Sequence, residues 1–297
     1  MASGRNGDRV SIAFGGDIAD ESVTGVAVWQ VACRLGFDVT SDATLVLQVS
    51  PATTVGTVLS ERFEVTVDGR LLPVTRLAGD HGGVLHMLQS PPGELTIEVE
   101  TVVERSAPVE ERRTTTLDVE QLTSLRQSRY CPSDQLAGFA AYEFGQLDPG
   151  AELLFAVGRW VASRLTYEEG FSGPLDTAID SLFAGRGVCR DFAHLAITLL
   201  RGLRVPARMV AVYAPGLFPM DFHAVVEAHV DGCWRVLDAT RHAPRQSLLR
   251  IATGRDAADT AFITVLSGAA ELRFTEVNAT TDSDLPVDDH TTLVTLA

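Results

Sequence analysis

The chain has 297 residues, of which 45% are hydrophobic and 21% charged, a balance typical of a globular protein with one large core or two smaller ones. Its 24 basic residues are all arginine and stand against 39 acidic residues; the net charge of −15 argues against nucleic acid or an anionic membrane as a partner. Because lysine is absent, Schiff-base catalysis and a phosphate-binding P-loop are also excluded.

The N-terminal third of the sequence has the patterns of a β-rich region. Residues 1–22 are rich in Gly, Asp, Ser and Arg and are expected to form a flexible arm. Residues 23–120 contain short runs in which apolar and polar side chains alternate. One such run, 63–67, meets Asp68-Gly69 and is followed by a second run, which predicts a two-residue hairpin. We therefore expect residues 23–120 to form a β-sandwich domain.

Helical patterns begin near residue 121, and we predict a second domain over 121–297. Its helices are expected at 136–144, 153–165, 175–183 and 189–201, and its strands at 206–213, 223–230 and 233–240. Helices followed by an antiparallel sheet indicate an α+β domain. Residues 254–280 carry weak, mixed helix and strand signals, and 281–290 are typical of an acidic, solvated loop.

The cysteines and the apolar runs bear on the cellular compartment. Four cysteines lie far apart and form no C-x-x-C pair, which argues against a disulfide scaffold or a zinc site and favours a reducing environment. No apolar run has the length of a signal-peptide core near the N-terminus or of a membrane span elsewhere. We therefore expect a cytoplasmic protein that uses no metal and no other cofactor.

One cysteine stands out by its position. Cys189 ends the glycine-containing sequence GRGVC and begins the apolar helix predicted at 189–201. A thiol at a helix N-terminus lies at the positive end of the helix dipole, beside unpaired backbone N–H groups, and this favours the reactive thiolate. Cys189 is therefore the candidate nucleophile. Cys131 is a rival thiol, but Pro132 follows it and no base can be assigned to it.

The histidine nearest in sequence cannot serve this thiol. His194 lies five residues beyond Cys189, which places it about 140° away around the helix. Asp191 also lies on the far side. Because Asp191 and His194 are three residues apart, we expect them to hydrogen-bond to each other in a structural role. The general base must come from another element.

A hairpin further along the chain supplies that base. Asp231-Gly232 separates two strand-like runs and favours a type I′ turn, so that Val230 is expected to pair with Cys233. This register decides which side chains share a face of the sheet, and a shift of one residue would reverse it.

In that register His223 and Asp238 are diagonal neighbours on one face of the sheet. The carboxylate would then fix the imidazole tautomer, and the imidazole would accept the proton of Cys189. A thiol, an imidazole and a carboxylate at one site are the groups that a cysteine nucleophile requires.

Three further residues are candidates for substrate binding. Glu227 and Trp234 share the face of His223, although core packing is an equal alternative for Trp234. Phe222 ends a Pro- and Gly-containing loop, 213–222, that leads directly into His223. Apolar loops beside a catalytic base often form the substrate rim.

These segments resemble the motifs of bacterial transglutaminase-like proteins, which are papain-related cysteine enzymes. The matching sequences are GVC ending at Cys189, HA beginning at His223, WRVLDAT over 234–240, and DFAHL after the cysteine. The resemblance covers about residues 120–250. It implies a papain-like core in which Cys189 is the nucleophile, His223 the base and acid, and Asp238 the orienting carboxylate.

The resemblance also implies a reaction. The enzyme would attack an amide or peptide carbonyl of a protein or peptide substrate and form a thioester, which water or an amine acceptor would then resolve. The backbone N–H of Cys189 would be one oxyanion donor. Animal members use calcium, but the D-x-D-x-D-G loop typical of a calcium site is absent from this sequence.

Two other functions are compatible with the same core. One is a cysteine protease or peptidoglycan amidase, which an assay for amine-dependent products would separate from a transferase. The other is a binding scaffold without catalysis. A complete Cys-His-Asp set argues against the scaffold, because binding alone gives no reason to hold these three groups together.

Overall fold

A twenty-residue strand, β1 (Val28–Leu47), organises the N-terminal region of the computed structural model, which describes residues 27–106 and 117–296. The other strands of this region are β2 (Gly56–Val67), β3 (Arg70–Leu71), β4 (Val74–Ala78), β5 (Val84–Ser90) and β6 (Gly93–Arg105). All pair antiparallel in the order β3-β2-β6-β1-β5-β4. The predicted β-rich N-terminal region is therefore confirmed, whereas the predicted arm at 1–22 lies outside the described residues.

The two halves of β1 have different neighbours. Residues 28–39 pair with β6, and residues 43–47 pair with β5. Alternate side chains along β1 and β6 are buried, among them Leu35, Leu45 and Ile97, and together they form the core of this region. The period-two burial is what the alternating sequence predicted.

The hairpin predicted at Asp68-Gly69 is present. Both residues have positive φ, 48° and 75°, and Thr66 pairs with Leu71 across the turn. The returning strand is shorter than predicted, because Pro73 has no N–H to continue the ladder. The chain beyond it forms β4, which pairs with β5 instead.

The second half begins with helices and ends with a sheet, as the α+β prediction requires. The helices are α1 (Val119–Thr123), α2 (Ser133–Phe144), α3 (Ala151–Arg164), α4 (Ala178–Ala184) and α5 (Cys189–Gly202). Thr177 caps α4 in a capping box with Asp180, so that α4 begins three residues later than predicted. Helix α3, predicted at 153–165, buries Leu154, Val157 and Val161 at 0% exposure.

Helix α5 is the centre of the second half. It packs against α2, α3 and α4 on the helical side and against two strands, β9 (Ala207–Tyr213) and β10 (His223–Val230), on the other. Gly202 is its last residue, one beyond the end predicted at residue 201. The backbone of α2 explains this glycine, because a Cβ at Gly202 would lie 3.2 Å from the Ala137 Cα.

The sheet beside α5 has the order β11-β10-β9-β12, with β11 at Cys233–Leu237 and β12 at Leu249–Gly254. The predicted register is present: Val230 pairs with Cys233, and the ladder continues to Val226 and Leu237. The strand predicted to reach residue 240 ends at Leu237, because the next carboxylate accepts hydrogen bonds from Thr240 and turns the chain.

The C-terminal part differs most from expectation. Residues 254–280, with their mixed signals, include a short helix, α6 (Ala257–Thr260), and most of a nineteen-residue strand, β13 (Ile263–Thr281). β13 pairs antiparallel with β1 from Trp29 to Leu47 and so adds a seventh strand to the N-terminal sheet. The division at residue 120 stays a prediction, but the N-terminal sheet draws a strand from the C-terminal side of it.

The loop predicted at 281–290 is also more than a solvated segment. Asp288 in this loop pairs with Arg245, with Oδ1 2.7 Å from Nη2, and both side chains are buried.

Among residues 27–106 and 117–296, no helix combines the length and the apolar character that crossing a bilayer requires.

The pairing of β1 with β13 can be tested at one glycine. Gly36 lies opposite Phe274, and a Cβ at Gly36 would overlap the phenyl ring. We expect Gly36→Ala to lower the free energy of unfolding by about 1–3 kcal/mol through overpacking, measured by urea denaturation. In a Phe274→Ala background the same substitution should cost much less. An equal cost in both backgrounds would contradict the contact.

Candidate active site

The Cys189 thiol stands at the first residue of α5, after the two-residue strand β8 (Arg186–Gly187). The Asp191 Oδ2 atom accepts a hydrogen bond of 2.8 Å from the Val188 N–H and fixes the turn into the helix. Gly187 is needed here, because a Cβ would lie 2.6 Å from the Asp191 Cβ. Cys189 is partly exposed, whereas the other three cysteines are buried. The structure therefore places one accessible thiol at a helix N-terminus.

His223 and Asp238 meet at the end of the adjacent sheet. The His223 Nε2 atom lies 2.9 Å from the Asp238 Oδ2 atom, and both residues are only 2% exposed. The other carboxylate oxygen accepts two hydrogen bonds from Thr240, from its N–H at 2.9 Å and from its hydroxyl at 2.7 Å. Asp238 is thus held from both sides and orients the imidazole.

The charges of this pair stabilise each other against burial. Burial lowers the pKa of His223, but the charge of Asp238 and hydrogen bonds to Asp238 and Cys189 outweigh it, and the pKa is raised to about 10. Burial raises the pKa of Asp238. The charge of His223 and the hydrogen bonds from His223 and Thr240 outweigh burial and bring this pKa below its ordinary value. At neutral pH the pair is therefore imidazolium and carboxylate. Because Nε2 bonds to Asp238, Nδ1 is the nitrogen that faces Cys189.

Tyr167 is a site residue that sequence reasoning missed. It belongs to the short strand β7 (Thr166–Tyr167), which pairs in parallel with β8 and sets Tyr167 beside Gly187. Its hydroxyl lies near the Cys189 backbone N–H. Burial and the neighbouring Cys189 sulfur raise the pKa of Tyr167, so that the phenol keeps its proton. A two-residue strand has no periodicity, and only the parallel pairing brings Tyr167 to the site.

A cavity of about 590 Å³ opens beside the sulfur. Cys189 and His223 lie in its wall together with Phe222, one of the predicted substrate-binding residues. The opposite wall comes from the N-terminal sheet, through Gln48 and several residues of β13. The candidate nucleophile and base thus face a space that two regions of the chain enclose.

The other two predicted substrate-binding residues lie elsewhere. Glu227 is 1% exposed, and its two oxygens each lie 2.7 Å from a guanidinium nitrogen, one of Arg250 and one of Arg208. Burial raises the pKa of Glu227, but these two arginines bring it down to about 2. Trp234 is buried, and the Arg208 guanidinium carbon lies 3.9 Å from the centroid of the Trp234 ring. Neither belongs to the described lining of the cavity, so packing and charge pairing replace the predicted substrate contacts.

The rival thiol and the neighbouring histidine have structural positions. Cys131 is fully buried, its Sγ lies 3.6 Å from the His194 carbonyl oxygen, and burial raises its pKa to about 12. The hydrogen bond predicted between Asp191 and His194 is wrong. His194 Nε2 accepts from the Ala257 N–H at 3.2 Å, and Asp191 binds the turn before α5 instead.

The site also bears on metal binding. Within the part of the chain that the structure describes, no three His, Cys, Asp or Glu side chains are grouped as the ligands of a metal ion would be. The absence of a cofactor stays a prediction.

Comparison with known proteins links this geometry to a family. Residues 139–239 match the profile of the Transglutaminase-like superfamily. A crystal structure described as a candidate cysteine protease from Cytophaga hutchinsonii is 29% identical, covers 89% of this chain and 94% of its own, and has a TM-score of 0.80. An uncharacterised protein of Mycobacterium leprae is 26% identical over 193 residues, which are 59% of this chain and 68% of that protein.

A further solved structure is less similar. The periplasmic domain of TgpA from Pseudomonas aeruginosa is 18% identical and covers 72% of this chain and 90% of its own, with a TM-score of 0.39.

The role of Asp238 can be tested by titrating His223. Asp238→Asn removes the charge that raises the imidazole pKa, so we expect that pKa to fall from about 10 towards or below 6.5. The measurement is an NMR titration of the His223 ring. Asp221→Asn is the matched control, because Asp221 affects His223 through its charge alone and should shift the pKa less.

The same pair predicts how stability depends on pH. Because folding raises the pKa of His223, its contribution is complete below pH 6.5 and is lost as the pH rises through about 10. The Asn variant should lack this loss in urea denaturation. An unchanged His223 pKa in Asp238→Asn would contradict the assignment.

Glu227 gives a second test. Glu227→Gln leaves two buried guanidinium groups without their shared carboxylate, and we expect it to lower the free energy of unfolding by about 3 kcal/mol at pH 7. Folding lowers the pKa of Glu227, so the difference from wild type should be complete above pH 4.5 and shrink as the pH falls towards 2. A variant of unchanged stability but impaired turnover would restore the substrate role.

Proposed function

Since residues 139–239 form a transglutaminase-like domain, as their motifs predicted, we propose that this member of a cysteine-based enzyme family is an acyl-transfer enzyme. It acts on amide or peptide carbonyls through a thioester. The observation that carries the proposal is the position of His223, which is held by Asp238 at 2.9 Å and lies in the wall of the same cavity as the partly exposed Cys189.

In the first half of the reaction the Cys189 thiolate attacks the carbonyl carbon and an S–C bond forms. The carbonyl oxygen becomes an oxyanion in the tetrahedral intermediate. The C–N bond then breaks, and the His223 imidazolium gives its proton to the departing amine. The product is a thioester on Cys189. The raised pKa of His223 favours a protonated imidazole at neutral pH, which the departing amine requires.

The oxyanion needs hydrogen-bond donors at the start of α5. The Cys189 N–H belongs to the first residue of α5, and the Tyr167 hydroxyl lies near it in the free enzyme. We propose that the substrate oxygen takes this N–H from Tyr167, so that Tyr167 holds the site before substrate enters. A backbone donor at a helix N-terminus is well suited to a developing negative charge.

In the second half an amine or water attacks the thioester. His223 takes the proton of the attacking group, the C–S bond breaks, and the thiolate is restored. An amine gives transamidation and water gives hydrolysis. The similarity of 29% to a structure described as a candidate cysteine protease favours hydrolysis as the second candidate outcome.

Alkylation by iodoacetamide tests the nucleophile and its base. We expect Cys189 to react at least about tenfold faster than free cysteine at pH 7, because a partly exposed thiol at a helix N-terminus beside a base is a reactive nucleophile. Intact-mass spectrometry would follow the rate, and Cys189→Ala should lose the fast phase, since the other three cysteines are buried. His223→Ala should slow the reaction, whereas His81→Ala, outside the described lining of the cavity, should not.

The products decide between the two outcomes. Mass spectrometry of the thioester formed on Cys189 from peptide amides, with and without a primary amine, measures whether amine or water completes the reaction. Reactivity of Cys189 equal to that of free cysteine, together with no thioester, would leave a binding scaffold as the function.

A further inference from the structure

The cavity beside Cys189 has an apolar lining that the chemistry of the thiol does not require. Its wall on the side of the transglutaminase-like domain includes Met209, Ala211 and Ile251, from β9 and β12 of the sheet that carries His223. Methionine and branched aliphatic side chains offer hydrophobic contact and few hydrogen bonds. The lining therefore suits an apolar group better than a polar one.

Aromatic rings continue this surface to the catalytic base. Phe222, directly before His223, stacks on Phe262 with ring centroids 5.3 Å apart and an interplanar angle of 16°. Phe262 directly precedes β13, so the stacked pair joins the base to the N-terminal sheet. An apolar group seated here would contact both regions of the chain.

Strand β13 completes the far wall with Ile263 and Leu272. Leu272 is 45% exposed, which leaves its side chain available to a ligand in the cavity. The strand belongs to the N-terminal sheet by its pairing with β1. The N-terminal sheet thus takes part in shaping the space in front of the nucleophile.

Two charged side chains of the lining, Arg190 and Asp221, make hydrogen bonds within the protein. The Arg190 Nη2 atom donates to the Ser172 hydroxyl at 3.1 Å and to the Gly173 carbonyl at 2.8 Å. Asp221 accepts a hydrogen bond from the Phe222 N–H at 2.7 Å. A charged ligand group placed deep in the cavity would lose its hydration among apolar side chains, which is costly.

We propose that this cavity binds a large apolar side chain, aliphatic or aromatic, of the acyl donor next to the carbonyl that Cys189 attacks. The inference rests on the proposed function and names its substrate class: peptides with an apolar residue at the reacting carbonyl. A volume of about 590 Å³ is sufficient for such a side chain and its neighbouring backbone. The N-terminal sheet acts in specificity through β13.

Acyl-amino-acid esters test this directly. The probes are p-nitrophenyl esters of N-acetylglycine, N-acetylleucine, N-acetylphenylalanine and N-acetylglutamate. The thiolate attacks the ester carbonyl, p-nitrophenolate leaves, and its release measures kcat/KM. We expect leucine and phenylalanine esters to exceed the glycine ester by about tenfold or more. The glutamate ester should be no better than the glycine ester.

A pair of variants locates the preference. Leu272→Asp places a charge in the cavity wall and should reduce the leucine-over-glycine ratio to near one. Leu266→Asp is the matched control on the same strand: Leu266 is 60% exposed and outside the described lining of the cavity, and its variant should keep the wild-type ratio. Both positions are exposed enough for the fold to tolerate a charge.

The outcomes separate this proposal from the proposed function. Rapid, His223-dependent alkylation of Cys189 combined with equal rates for all four esters would overturn the apolar subsite and leave the acyl-transfer chemistry standing. A preference for the glutamate ester, or a ratio that Leu272→Asp does not change, would overturn it as well. Slow alkylation of Cys189 would refute the proposed function first.

Discussion

The buried hydrogen bond between His223 and Asp238 is the interaction on which the candidate site depends. Two ionisable groups removed from water are stable only if each compensates the charge of the other. That compensation requires the register of β10 and β11, which the Asp231-Gly232 turn fixes with positive φ at both residues. A turn of two residues therefore sets the distance between an imidazole and a carboxylate that lie fifteen positions apart.

A second constraint is the route of the chain after the sheet that carries His223. β13 leaves α6 and runs along the whole of β1, so that the first and last strands of the described chain pair with each other. This closes the N-terminal sheet against the papain-like core and places apolar side chains opposite Cys189. β13 lies in the C-terminal half of the sequence but pairs with the N-terminal sheet. It therefore forms a wall of the cavity opposite Cys189.

Buried charge is used repeatedly in this chain, and each of these instances is paired. Glu227 holds Arg208 and Arg250 in the sheet beside the site, and Arg245 binds Asp288 where the C-terminal loop returns to the core. Arginine suits these positions, because its planar guanidinium binds carboxylate oxygens in two places at once. Arg245 and Arg250 each bind both oxygens of their carboxylate in this way.

Local sequence determined the parts of this protein whose signals lie within a few residues of each other. A helix start after a glycine, a two-residue turn and the alternation along β10 are local patterns, and they are sufficient to single out Cys189, His223 and Asp238. Tertiary structure alone decided that Tyr167 reaches the Cys189 N–H, that Glu227 and Trp234 pack with arginines, and that β13 walls the cavity. These contacts join residues between which the sequence carries no periodic signal, so only the folded chain can bring them together.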